Sequence, residues 1–200
     1  MKNLLLIQSS PRGKDSISRQ LTQELLEKIR AREEISVTER DLSAHPLPHL
    51  QAEQLEAFFT PPDKRSPGLQ LAVKLSDEVV SEFLRSDIVV LSVPMWNFSV
   101  PSVLKAWIDH VVRAGITFSY GPEGVKGLVS SKIVYVVSSS GSILSNGPLD
   151  FLGTYLKAVF GFLGLIDVRF VRVEGIGDPK AKDSAVARGR KMLEEALATA

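Results

Sequence analysis

The chain has 200 residues, 44% of them hydrophobic, and a formal net charge of +1. That length suffices for one well-buried core, and the near-neutral charge gives no mandate for nucleic acid or an acidic membrane surface. The absence of cysteine excludes disulfide frameworks, thiolate metal sites, iron–sulfur clusters and cysteine nucleophiles, and suits a reducing cytoplasm.

"NLLLIQ" (3–8) is a continuous apolar run, as expected of a parallel strand buried on both faces. It is too short for a signal sequence, and no stretch approaches the roughly 20 apolar residues of a membrane span. A helix follows over 16–32, with Ile17, Leu21, Leu25, Leu26 and Ile29 at helical spacing. "ISVTERDL" (35–42) alternates like a second strand. Residues 43–68, with prolines at 46, 48, 61, 62 and 67, form a long excursion holding one short helix near 51–58. An amphipathic helix over 69–86 precedes a third strand, 87–93, and a helix over 100–114. Strand four (131–139), a helix (147–164), strand five (167–175) and a last helix (181–200) complete the pattern. Strands alternating with helices imply parallel βαβ units, here one domain over 1–200. Five strands suit a flavodoxin-like α/β sheet of order 2-1-3-4-5, which binds ligands beyond its carboxyl edge where the order reverses.

Three loops fall on that edge. "SSPRGKDSIS" (9–18) supplies Ser10, Ser16 and Ser18 where a helix begins, a natural anion site. It has neither a Walker A nor a G-x-G-x-x-G pattern, and Ser16 as a plain helix cap is the competing reading. Met95-Trp96-Asn97-Phe98, between Pro94 and Pro101, can wall and edge-read a flat heterocycle, though aromatic core packing accounts for such residues too. "SSSGSILSNGP" (138–148) is rich in hydroxyls and glycine, as is any surface turn. One phosphate, one planar ring and no dinucleotide fingerprint point to FMN. In that case no side chain is needed as the catalytic group, because the flavin carries the chemistry.

"PMWNFSVPSVLKAWIDHVVRAGITFSYGPEGVKGLV", with the two serine loops and "FGFLGLIDVRFVRVEGI", resembles the FMN-dependent NADH-azoreductase family of flavodoxin-like NAD(P)H:quinone oxidoreductases. The resemblance implies a homodimer with one FMN per subunit near the interface. It implies two-step turnover, in which NADH or NADPH reduces the flavin and a quinone or aromatic azo compound then takes the electrons. Carried over by position, flavin contacts fall on Ser10, Ser16, Ile17, Ser18, Met95, Trp96, Asn97, Phe98, Ser139, Ser140, Gly141 and Ser142. The family often has Tyr at Trp96, and many relatives carry Arg-Gly where Ser140 and Ser142 stand, so a cation near the flavin is missing. Phe59 (with Phe58), Phe118, Tyr120 and Phe162 are candidate substrate walls, some across a dimer, with plain packing as the alternative. A flavodoxin-type electron carrier is the rival function, disfavoured by the charge of +1, and a flavin-free relative is a third. His45 and His49 lack a third ligand for a metal, and His110 reads as a satisfied helical histidine.

Overall fold

Two apolar clusters, one on each face of a parallel sheet, position everything else in the computed structural model, which describes residues 1–198. In chain order the first elements are β1 (Lys2–Gln8), α1 (Ile17–Arg30), β2 (Ile35–Asp41), α2 (Ala52–Phe59), α3 (Pro67–Arg85) and β3 (Ile88–Pro94). They are followed by α4 (Ser102–Val111), β4 (Phe118–Gly121), β5 (Gly124–Gly127), β6 (Ile133–Ser140), α5 (Phe151–Leu163), β7 (Val168–Glu174) and α6 (Lys182–Ala198). Side chains alternate between faces along a strand. Leu4, Leu6, Val90, Tyr135 and Val137 therefore meet Leu21 and Leu25 of α1 and Leu193 and Leu197 of α6. Leu5, Ile7, Leu91 and Val136 meet Phe83, Trp107, Leu156 and Phe160 from α3, α4 and α5.

The main sheet runs β2-β1-β3-β6-β7, with every pairing parallel. This is the expected five-strand order, with β6 and β7 as its fourth and fifth strands. The sequence patterns missed β4 and β5, an antiparallel pair in which Phe118 faces Gly127 and Tyr120 faces Val125. Four-residue strands interrupted by Gly121 and Gly124 carry no apolar run, so only tertiary contact reveals them. Their anchor is Gly127, where a Cβ would sit 2.2 Å from the Gly164 nitrogen at the end of α5. Next to it the Val129 N–H donates to the Leu163 carbonyl at 3.0 Å.

Capping explains where helices depart from the expected limits. α3 starts at Pro67 because the Ser66 hydroxyl accepts from the Leu69 N–H and proline suits a first helical position. α4 stops at Val111, three residues short of position 114, because Val112 leaves the helical conformation and the Thr117 hydroxyl takes the Val111 carbonyl at 2.9 Å. α5 starts at Phe151 rather than 147, since the Asp150 carboxylate caps the Gly153 N–H at 3.0 Å. The expected last helix is α6, whose final two expected positions, 199 and 200, lie outside the described residues.

The proline-rich excursion is tied down rather than loose. The Arg113 guanidinium, 1% exposed, stacks 3.7 Å from the Phe58 ring centre and donates to the Ser76 hydroxyl at 2.6 Å. His110 is buried, with Nε2 2.9 Å from the Pro48 carbonyl. Among the described residues no group of His, Asp or Glu is placed to hold a metal ion, and no helix is long and apolar enough to cross a membrane.

Candidate functional site

The chain leaving β1 is held before it turns. Both the N–H and the hydroxyl of Ser9 donate to the Ser92 carbonyl of β3, at 3.1 and 2.7 Å. Arg19, on the first turn of α1, grips the loop from outside. It donates to the Ser10 carbonyl through Nε and Nη2 at 3.1 and 2.6 Å, and to both Asp41 oxygens at 2.7 and 2.9 Å. Burial alone would raise the Asp41 carboxyl, but the bonds from Arg19 and from the Ser43 and Ala44 N–H groups outweigh it and hold the carboxyl below its ordinary value. Ser16 occupies the N-cap of α1 without making a side-chain capping bond. Its hydroxyl instead lies 3.1 Å from that of Ser18, which accepts from the Ser92 hydroxyl at 3.1 Å. The first-turn N–H groups of α1 thus keep their capacity for an anion, reinforced by the positive end of the helix dipole.

The loop after β3 is a tight turn. Trp96 and Ser99 exchange backbone hydrogen bonds at 3.1 and 3.0 Å, which leaves Asn97 and Phe98 at the tip with φ of +48° and +68°. Positive φ at both central residues is the type I′ geometry. For a phenylalanine the left-handed region costs about 1–2 kcal/mol, and strain of this kind gathers where a chain is shaped for a ligand. The Met95 N–H donates to the Ser139 carbonyl at 2.7 Å, joining this turn to the loop after β6.

That third loop is braced by carboxylates. Glu174 accepts from the Leu144 and Ser145 N–H groups at 2.9 and 2.8 Å, and Asp150 accepts from Arg172 at 2.8 Å. Burial works to raise the Asp150 carboxyl, yet the Gly153 N–H and Arg172 leave it below its ordinary value. Gly141 receives the Gly177 N–H at 3.0 Å, and a Cβ on Gly177 would meet that same carbonyl oxygen at 3.0 Å.

These loops enclose a cleft of about 490 Å³ at the carboxyl edge of the sheet. Of the residues expected from sequence, Ser10, Ser16, Ile17, Met95, Trp96, Ser139, Ser140 and Gly141 line it. Ser18 is fully buried behind Ser16. Asn97 lines an adjoining hollow of about 510 Å³ that shares Trp96 and holds Lys105 and Tyr155. Burial, helped by the Asp109 carboxylate, pushes the Tyr155 phenol up to about 12. Phe98 is half-exposed at the turn tip and lines neither hollow. Ser142 lies outside the cleft and presents its carbonyl to the Ser140 hydroxyl at 2.7 Å. The four candidate wall residues do not line this cleft. Phe118 is buried and packs on Tyr120 and Phe162, ring centres 5.4 and 4.6 Å apart, while Phe59 is 74% exposed at the end of α2. A more open hollow of about 800 Å³ shares Arg12 and Ile17 and is walled by surface ions such as Arg190, itself 2.7 Å from Glu24.

Sequence reasoning overlooked Ile176 and Gly177, which close the cleft from beyond β7. The signal was available: "EGIGDP" leaves the fifth strand on the same edge, and the rule that selected the other loops applies to it equally.

The family model described as "Flavodoxin-like fold" matches residues 2–197. An FMN-dependent NADH:quinone oxidoreductase of Herminiimonas arsenicoxydans is 45% identical over 202 residues, covering 98% of this chain and 99% of its own length. The corresponding protein 2 of Hahella chejuensis is 42% identical over 200 residues, with 98% and 99% covered. Among solved structures, an azoreductase from Bacillus anthracis str. Sterne superposes with a TM-score of 0.89 at 27% identity, covering 98% of this chain and 99% of that one. An FMN-dependent NADH-azoreductase from Bacillus anthracis str. Ames Ancestor, solved in complex with FMN, gives 0.87 at 25% identity with both chains fully covered. The chain therefore belongs to the flavodoxin-like fold family, alongside the FMN-dependent NADH:quinone oxidoreductases.

Proposed function

We propose that the protein is a single-domain, FMN-dependent NAD(P)H oxidoreductase that reduces quinones and aromatic azo compounds. The observation that carries this reading is the meeting, in one cleft, of a helix N-terminus without a side-chain cap and an apolar wall of Met95 and Trp96. The residues fit FMN in kind. Ser10, Ser16 and the first-turn N–H groups of α1 offer neutral donors and a positive dipole end, and Arg12 lines the same cleft with a cation, all of which suit one phosphate. Met95, Trp96 and Ile17 suit the faces of a flat ring. Asn97 holds the strained turn that presents the 95–98 backbone, and Ser139, Ser140 and Gly141 close the opposite rim. The chemistry FMN supplies when bound is two-electron transfer from NADH or NADPH to the acceptor, in two separate half-reactions. The protein's part is to bind, orient and keep water from the ring.

A second copy of the chain completes the pocket in this reading. Tyr120 and Phe162 are exposed beside Phe118, and Phe151 on α5 is exposed as well. Aromatic surface of this kind favours burial at an interface, and there these rings would wall the partner's cleft.

Absorption spectra of the purified protein test the proposal. It should copurify with, or take up, FMN, lose the flavin's visible band on addition of NADH under anaerobic conditions, and regain it with a quinone. Protein that cannot be loaded with FMN would end the reading. Loaded protein that NADH reduces slowly, but a reduced protein partner reduces fast, would place it among electron carriers instead.

A further inference from the structure

Three buried hydroxyls are linked by hydrogen bonds from the sheet to the cleft: Ser92 on β3, Ser18 on α1, and Ser16 at the N-cap. We propose that Ser92 is a positioning residue for phosphate, acting through Ser18 to make Ser16 a committed hydrogen-bond donor. The inference rests on the FMN reading and adds to it the device that selects the phosphorylated ligand.

The argument is one of donor accounting. Ser92 and Ser18 are both 0% exposed, so solvent cannot complete their bonding. The Ser92 hydroxyl donates to Ser18 Oγ at 3.1 Å. Between Ser18 and Ser16, also 3.1 Å apart, either hydroxyl has the geometry to donate. If Ser16 donated, Ser18 would accept twice, and its own hydrogen would have no acceptor among the described residues. A buried hydroxyl hydrogen without a partner is costly. The satisfied arrangement runs Ser92 to Ser18 to Ser16, which releases the Ser16 hydrogen to the cleft that Ser16 lines. Ionised phosphate oxygens accept hydrogen bonds, so a fixed donor matches them. A chain of hydroxyls pointing one way also polarises along its length. Alanine at position 92 leaves one group of Ser18 unpaired whichever way the Ser16–Ser18 bond runs. The bias toward donation then shrinks, although neither Ser16 nor the helix has been touched.

The test compares FMN with riboflavin, which lacks the phosphate, by fluorescence titration of the wild type, Ser92→Ala, Ser18→Ala and the double variant. Ser92→Ala should raise the FMN dissociation constant roughly fivefold, the scale of one ordinary hydrogen bond, and leave that of riboflavin unchanged. Once Ser18 is alanine, the change at 92 should not alter the FMN-to-riboflavin ratio further, because the relay is already cut. Equal weakening of both flavins by Ser92→Ala would reveal simple loss of structure and overturn the proposal. So would an unchanged FMN constant, or independent effects of the two substitutions. A wild-type protein that binds neither flavin would instead refute the FMN reading, and this inference with it.

Discussion

Arg19→Met tests whether the first rim loop is held by charge. Methionine keeps most of the apolar stem but can donate nothing. The substitution removes two bonds to Asp41, at 2.7 and 2.9 Å, and two to the Ser10 carbonyl, at 3.1 and 2.6 Å. The pair is neither fully buried nor free, with side chains 15% and 26% exposed. Its loss should therefore fall between the near-zero worth of a surface ion pair and the 3–5 kcal/mol of a broken buried one. About 2 kcal/mol is expected at neutral pH, or a Tm about 4–8 °C lower for a chain of this size. The pH dependence separates charge from packing. The Asp41 carboxyl is held low in the folded protein and titrates near 3.9 when unfolded. Its contribution is thus complete above that value and is lost as pH falls through the folded one. Urea unfolding from pH 7 to pH 3 should show the gap between wild type and variant widest near neutrality and closing below about pH 4. The Ser10 loop should loosen as well, so FMN retention should weaken in the same variant. A gap that persists unchanged to pH 3 would assign the effect to packing, and no gap at pH 7 would refute the clamp.

Two further substitutions probe the frame around the cleft. Lys132, immediately before β6 and buried, donates to the Leu84 carbonyl at the end of α3 at 2.9 Å and also to the Ser86 carbonyl. Lys132→Met should cost about 1–3 kcal/mol in urea unfolding by stranding those carbonyls; an unchanged midpoint would mean that water or the helix end takes them over. Gly127→Ala puts a Cβ 2.2 Å from backbone at the end of α5, so the β4–β5 hairpin must move away. A loss of about 1–3 kcal/mol is expected, with amide exchange speeding up first at Val129. Unaltered exchange there would show that the hairpin is not seated on α5.

Much of this molecule was legible in one dimension. Continuous apolar runs such as residues 88–91, between helical patterns, are what strands buried on both faces require. The spacing of Leu21, Leu25 and Leu26 is helical. Alternation of the two then implies a parallel sheet, and the flavodoxin-like order that suits five strands places the ligand at its carboxyl edge. Three loops could be chosen on that basis before any contact was known. Helix limits were less legible, because a cap such as Asp150 or Thr117 acts through one hydrogen bond that leaves no periodic trace.

What the sequence by itself determined is therefore the alternating elements, and with them a parallel sheet and its carboxyl edge, since hydrophobic periodicity is a local property of the chain. Only the tertiary structure decided how the edge is shaped. It sent Asn97 to the adjoining hollow, linked Ser18 to both Ser16 and Ser92, and brought Gly177 against Gly141. It also gathered Phe118, Tyr120 and Phe162 away from the cleft. Each of these is a contact between segments far apart in the chain or a choice of backbone conformation at a turn. Such choices are settled by packing and hydrogen-bond satisfaction in three dimensions rather than by the order of residues.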